Sequence, residues 1–222
     1  PHNQRVVVEL ESYGCSLEDS QSTKTTKDKA LSRSSSPNEQ QDVIRREANL
    51  FLRDCSTGAE KALTNDGEVD FGYGTRPAYM SFEFENSDKR PLAPAVLWSS
   101  DARYLAVQRI DQRQVKDMPL MQSVPKDGSF RPVNHPYKMG LPGDEHIELA
   151  SLCVIDLMTE QVVDCNRPPV AASNSGFMEC GAVRWGTDHC LYFVEWTRSR
   201  QTYRLVRFDP VSATSRVLIE EN

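Results

Sequence analysis

From residue 36 onward, one order of polar and apolar positions recurs three times. A small polar turn comes first: Ser36-Pro37-Asn38, then Ser99-Ser100-Asp101, then Gly186-Thr187-Asp188. An apolar run follows, weak in Val43-Ile44 and clear in Tyr104-Leu105-Ala106-Val107 and Leu191-Tyr192-Phe193-Val194. Runs this short, rich in β-branched and aromatic residues, predict strands rather than helices. A second run then ends on an aspartate and meets a hairpin signal: Asp54 before Ser56-Thr57-Gly58, Asp156 before Met158-Thr159-Glu160, and Asp209 before Ser212-Ala213-Thr214. A third strand closes each module, through Lys61-Ala62-Leu63, Gln161-Val162-Val163 and Arg216-Val217-Leu218.

An antiparallel trio cannot bury its apolar face alone, so such modules must stack, and radial stacking of four-stranded sheets makes a propeller. The expected fold is all-β, a partial β-propeller of about three to four antiparallel blades, with modules at 36–64, 97–164 and 182–220 inside a propeller region spanning 36–222. The three aspartates are expected to accept hydrogen bonds from turn amides. Trp98 and Trp185, just ahead of the turns, are expected to pack between blades. An unclosed ring leaves strand edges that invite pairing with another copy.

Two stretches depart from the plan. Val6-Val7-Val8 with Leu10 predicts the strands of an incomplete blade within 1–18, after which 19–41 is almost devoid of aliphatic side chains and reads as a polar, exposed or disordered loop. Between Ile110 and Leu149 the period is broken by residues 111–148. Pro119, Pro125, Pro132, Pro136 and Pro142 favour an ordered, extended arm there, and an arm of this length is a candidate contact with another domain or with a second subunit in a homodimer.

Composition narrows the function classes. The net charge of −6 is spread along the chain without a basic block, so nucleic acid is not an expected partner. No stretch approaches the ~20 apolar residues of a membrane helix, so a membrane is not expected either. Residues 1–4 lack the charged and apolar regions of a signal peptide, and the compartment stays open between cytoplasm and periplasm. The six cysteines form no C-x-x-C and the four histidines do not fall at metal spacing, so neither a metal nor another cofactor is expected. Cys153 and Cys190 sit inside apolar strand patterns, where reduced, buried thiols are favoured over disulfides.

The run Leu97-Trp98-Ser99-Ser100-Asp101-Ala102-Arg103-Tyr104-Leu105-Ala106, followed by Arg109-Ile110-Asp111 and Val115, resembles the W-S-P-D-G strand signature of dipeptidyl peptidase IV propellers. His135-Pro136-Tyr137-Lys138-Met139-Gly140-Leu141-Pro142-Gly143, ahead of Leu149 and Val154-Ile155-Asp156-Leu157, is similar to the family's Y-P-K-x-G stretch. Ser36-Pro37 with Asn49-Leu50-Phe51-Leu52-Arg53-Asp54 and Thr57-Gly58 is similar to an earlier blade. The matches run in order and cover residues 36–164.

The resemblance implies a parent serine exopeptidase made of a seven- or eight-bladed propeller and an α/β-hydrolase domain that holds the nucleophile in G-x-S-x-G. This chain has no such motif, and His2, His135, His146 and His189 have no matching nucleophile, so no catalytic residue is expected here. The implied partners are the hydrolase domain of the same polypeptide and a peptide substrate, to which the propeller would restrict access. Family members also grip the peptide's amino terminus with two adjacent glutamates. Counting from Gly74, that pair falls near Ser81 and Phe82, where no adjacent pair exists. Glu83 and Glu85 alternate with Phe82 and Phe84, so both carboxylates share one strand face, and they are the candidate substrate-binding residues; a strand with its polar face in water is the other reading. The alternative function is a free-standing propeller scaffold that binds a protein partner through its arm.

Overall fold

The computed structural model describes residues 5–8, 15–18, 33–77, 93–125, 127–172 and 175–222, and among them there is no helix. Near the start, β1 (Arg5–Val8) and β2 (Cys15–Glu18) form an antiparallel pair. The first four-stranded sheet follows, with β3 (Arg33–Ser35), β4 (Gln41–Arg46), β5 (Asn49–Asp54) and β6 (Glu60–Ala62) side by side in chain order. The second sheet opens with β7 (Val96–Trp98) and β8 (Tyr104–Asp111). Next come the four short strands of the arm, β9 (Asp117–Met118), β10 (Met121–Gln122), β11 (Val133–Asn134) and β12 (Tyr137–Lys138). The second sheet resumes with β13 (Leu149–Asp156), β14 (Gln161–Asp164) and the short β15 (Val170–Ala171). The third consists of β16 (Val183–Trp185), β17 (Leu191–Trp196), β18 (Tyr203–Asp209) and β19 (Thr214–Glu221).

Each module therefore has one strand beyond the three that the apolar pattern indicates, and β15 adds a fifth to the second sheet. The additional strand is the short one before the polar turn, three residues long in every case. Its first copy, β3, lies in the stretch 19–41 that reads as loop, because Arg33, Ser34 and Ser35 offer no apolar signal. Polar contacts hold it instead: Arg33 Nη1 and Ser35 Oγ donate to the buried Asp42 carboxylate on β4 at 2.8 and 2.6 Å.

The sheets stack face to face. Along β8, Leu105 and Val107 pack with Val43 and Leu50 of the first sheet, whereas Tyr104, Ala106 and Ile110 pack with Leu191, Phe193, Val206 and Phe208 of the third. Strand β13 alternates the same way, with Cys153 and Ile155 on one side and Ala150, Leu152 and Val154 on the other. The period of two thus sends apolar residues to both faces, which is why these central strands read as continuous apolar runs. Each large side chain sealed in this way contributes roughly 1.5–3 kcal/mol.

Two turns repeat with the sheets. Between the first and second strands, the fourth turn residue adopts positive φ in each case: Glu39 at 57°, Ala102 at 58° and His189 at 58°. In the hairpin before the last strand the positive φ falls four residues after the aspartate, at Gly58, Glu160 and Ala213. There Asp54 Oδ1 accepts from the amides of Ser56 and Thr57 at 2.9 and 2.7 Å, Asp156 Oδ1 from Met158, and Asp209 Oδ1 from Val211. The Ser56 hydroxyl and the Thr57 amide lead in pulling the Asp54 carboxyl down to about 2. The tryptophans link neighbouring inner strands: Trp98 Nε1 donates to Ser34 O at 3.3 Å and Trp185 Nε1 to Leu97 O at 3.0 Å.

Candidate functional site

The connection from β6 to β7 turns at Gly74, whose φ of 64° and close neighbours favour glycine: an added Cβ would lie 3.0 Å from both Leu50 Cδ2 and Pro94 Cβ. The bare α-carbon lets two strands of main chain meet. Gly74 N donates to Gln108 O at 2.8 Å, and Ala95 N donates to Gly74 O at 2.9 Å. Arg76 Nε adds a bond to Ala93 O at 3.3 Å. These contacts tie both ends of the segment 78–92 into one stem. Glu83 and Glu85, the residues singled out for peptide binding, belong to that segment and lie outside the described residues.

A knot of polar side chains forms the floor of the stem. Gln108 is completely buried. Its Nε2 donates to Thr75 O at 2.9 Å and Glu179 Oε2 at 3.1 Å, while its Oε1 accepts from Met178 N at 3.1 Å. Glu179, with its side chain 2% exposed, also accepts from Gly176 N at 2.9 Å and pairs with Arg76 Nη1 at 2.8 Å. A buried amide and carboxylate are tolerated because every oxygen has a donor. Gly176 is required by the same packing, since a Cβ there would approach Gln108 Oε1 to 2.3 Å. Sequence reading missed this cluster. The signal for it is Gln108 itself, a polar residue in the middle of the apolar run of β8.

The arm is a nested hairpin. Asp117 and Met118 pair with Lys138 and Tyr137, and Met121 and Gln122 pair with Asn134 and Val133. The two short ladders share one register and are bridged by His135 N donating to Leu120 O at 2.8 Å. Beyond them, Phe130 is fully exposed and Val124 is 83% exposed. At the arm's root a cleft of about 580 Å³ is lined by residues that include Asp111, Arg113, His146, Leu149 and Arg198.

One arrangement resembles a hydrolytic triad in composition only. Ser99 Oγ donates to Asp101 Oδ1 at 2.6 Å, and His189 Nδ1 meets Asp101 Oδ2 at 3.2 Å. The carboxylate stands between the hydroxyl and the imidazole, so the imidazole cannot take the serine proton. The Ser99 hydroxyl is the first reason the Asp101 carboxyl lies below its usual range, and the set closes a turn. Among the described residues no three His, Cys, Asp or Glu side chains converge as metal ligands would. Cys55, Cys153, Cys165, Cys180 and Cys190 are free thiols, and burial pushes Cys153 up to about 12.

Residues 3–222 match the model of the family described as the dipeptidyl peptidase IV (DPP IV) N-terminal region. The protein named "Probable dipeptidyl-aminopeptidase B" of Aspergillus oryzae is 26% identical over 199 residues, which is 80% of this chain and 21% of the relative. The dipeptidyl-aminopeptidase B of Aspergillus niger is 22% identical over 189 residues, covering 80% and 20%. This chain thus spans about a fifth of the length of those relatives. Among solved structures, the dipeptidyl peptidase 4 of Porphyromonas gingivalis superposes with a TM-score of 0.64 at 18% identity, over 85% of this chain and 25% of that one. A provisionally assigned dipeptidyl aminopeptidase IV from Bacteroides ovatus gives 0.58 at 16% identity, over 97% and 26%. The likeness extends to the fold, and the stacked sheets are blades of a partial propeller.

Proposed function

The chain belongs to the family of dipeptidyl peptidase IV N-terminal regions, and from that premise we propose that it is the non-catalytic propeller part of a serine exopeptidase. In this reading it restricts which peptides reach an α/β-hydrolase domain in the same polypeptide, and the segment 78–92 meets the peptide's amino terminus through Glu83 and Glu85. The observation that carries the reading is the stem at Gly74 and Ala95. A firmly tied base between blades is what a substrate-contacting loop needs, because its reach is then set by a rigid scaffold. The test uses the parent enzyme: Glu83→Gln with Glu85→Gln is expected to raise KM for dipeptide release with kcat little changed, since the pair binds the ammonium and does not touch the scissile bond. An unchanged KM overturns the assignment of the pair. Measurable peptide hydrolysis by the chain alone overturns the non-catalytic reading.

The exposed tip of the arm supports a second role. Phe130 and Val124 present apolar surface that water does not favour, and a second copy of the chain covers it in the homodimer. Sedimentation of Phe130→Ser with Val124→Ser is expected to shift the population toward monomer, and a wild type that is already monomeric removes this part.

A further inference from the structure

Two cavities meet at the root of the arm. The cleft of about 580 Å³ shares Ile147 and Arg198 with a second cavity of about 440 Å³. Met139, Leu141, Pro142 and Ile147 give the second cavity an apolar wall, Arg198 and Arg200 line it as well, and no described aspartate or glutamate does. Both arginines are exposed and belong to the turn between β17 and β18. That turn is closed by Thr197 N donating to Thr202 O at 3.1 Å and Arg200 N donating to Thr197 O at 2.9 Å.

Each guanidinium is held in place, though not by an anion. Arg198 donates from Nη1 to Glu145 O at 3.3 Å and from Nη2 to Asp144 O at 2.5 Å, which leaves three of its five donors for another partner. Arg200 lies over the ring of Trp196, 4.6 Å from the centroid. That ring is buried and fixed in turn, because its Nε1 donates to Ala171 O at 2.9 Å. Neither arginine pairs with a carboxylate among the described residues. The acidic side chains nearby in sequence are engaged elsewhere. Asp144 accepts from Leu141 N at 2.9 Å and meets Lys116 at 3.7 Å, and both oxygens of the buried Glu148 accept from Gly140 N at 3.2 Å. Glu145 lines the larger cleft instead. The bonds to Gly140 and Leu141 also fix the backbone that carries the apolar wall.

We propose that this cavity binds the carboxyl terminus of a peptide ending in an apolar residue. A terminal residue carries its carboxylate and its side chain on one carbon, so the charge meets the guanidinium groups while the side chain covers Leu141 and Ile147. Because both arginines are already held, little side-chain freedom is lost on binding. The site uses neither Glu83 nor Glu85 and is independent of their assignment.

The test is calorimetric titration of the chain with three probes: N-acetyl-Ala-Leu with a free carboxyl terminus, its amide, and N-acetyl-Ala-Gly with a free carboxyl terminus. The acetyl group removes the ammonium, so the outcome does not depend on the glutamate pair. The leucine acid is expected to bind about tenfold tighter than its amide, with the advantage shrinking as salt is raised, and several-fold tighter than the glycine acid. Arg198→Gln and Arg200→Gln are each expected to reduce the advantage of acid over amide, and the double substitution to erase it. Arg200→Gln leaves the bonds of Arg198 to residues 144 and 145 intact, so its effect is not a loosening of that loop. Leu141→Ser is expected to erase the preference for leucine over glycine. The site is overturned if acid and amide bind equally, if the advantage survives the double substitution, if glycine serves as well as leucine, or if no probe binds.

Discussion

Trp185 donates its indole Nε1 proton to the carbonyl of Leu97 at 3.0 Å, and its ring stacks on Tyr104 with centroids 5.7 Å apart. The tryptophan belongs to the third blade and both partners to the second, so one side chain joins the blades by a hydrogen bond and by packing. Trp98 stands in the same relation to Ser34 one blade earlier. Trp185→Phe retains much of the ring and removes the donor, leaving a main-chain carbonyl unpaired. The expected loss is about 1–2 kcal/mol of stability, read as a lower urea midpoint. An unchanged midpoint would mean that the indole bond adds nothing to blade docking.

The repeated turns hold β-carbon-bearing residues where the backbone favours glycine. Gly58 occupies its position in the first blade, whereas Glu160 and Ala213 stand at the equivalent places, and Ala102 occupies the matching site of the other turn. Ala102→Gly and Ala213→Gly are each expected to raise stability by about 1 kcal/mol, and Gly58→Ala to lower it by a similar amount. Thermal melts of the three variants check both signs.

Acid should loosen the hairpins. Asp54 titrates at about 2 in the folded chain, below the ~3.9 of an unfolded aspartate, and Arg103 leads in holding Asp156 low as well. A depressed folded pKa gives stability that is complete above the unfolded value and is lost as pH falls through the folded one. The melting temperature is therefore expected to be flat from pH 6 to 5 and to fall between pH 4 and 2. Asp54→Asn should make that fall shallower, and an unaltered acid limb would show that this hairpin does not contribute.

Thiol labelling should separate two classes. Cys55 and Cys180 are exposed, whereas Cys153, Cys165 and Cys190 are buried, and burial pushes the Cys153 and Cys165 thiols upward. Since the thiolate is the reactive species, Cys55 and Cys180 are expected to react with a thiol reagent at pH 8 in the native chain, and the other three only in denaturant. Mass mapping of the labelled peptides gives the answer, and native labelling of Cys153 would show that the first and second blades do not stay docked.

The apolar runs around Val43, Val107 and Val194, the aspartates before each hairpin and the tryptophans before each turn made the repeating sheets readable from the chain, because those choices are local: strand period, turn amides and ring size act within a few residues. Strand β3 escaped that reading because Arg33, Ser34 and Ser35 are held by Asp42 and by main-chain bonds, neither of which leaves an apolar trace. Only stacking decided which strand faces are sealed, since β8 and β13 bury both sides once a blade lies against each. The knot of Gln108, Arg76 and Glu179 likewise exists only in three dimensions: its members come from distant parts of the chain, and a buried amide is affordable only where folding brings every donor and acceptor a partner.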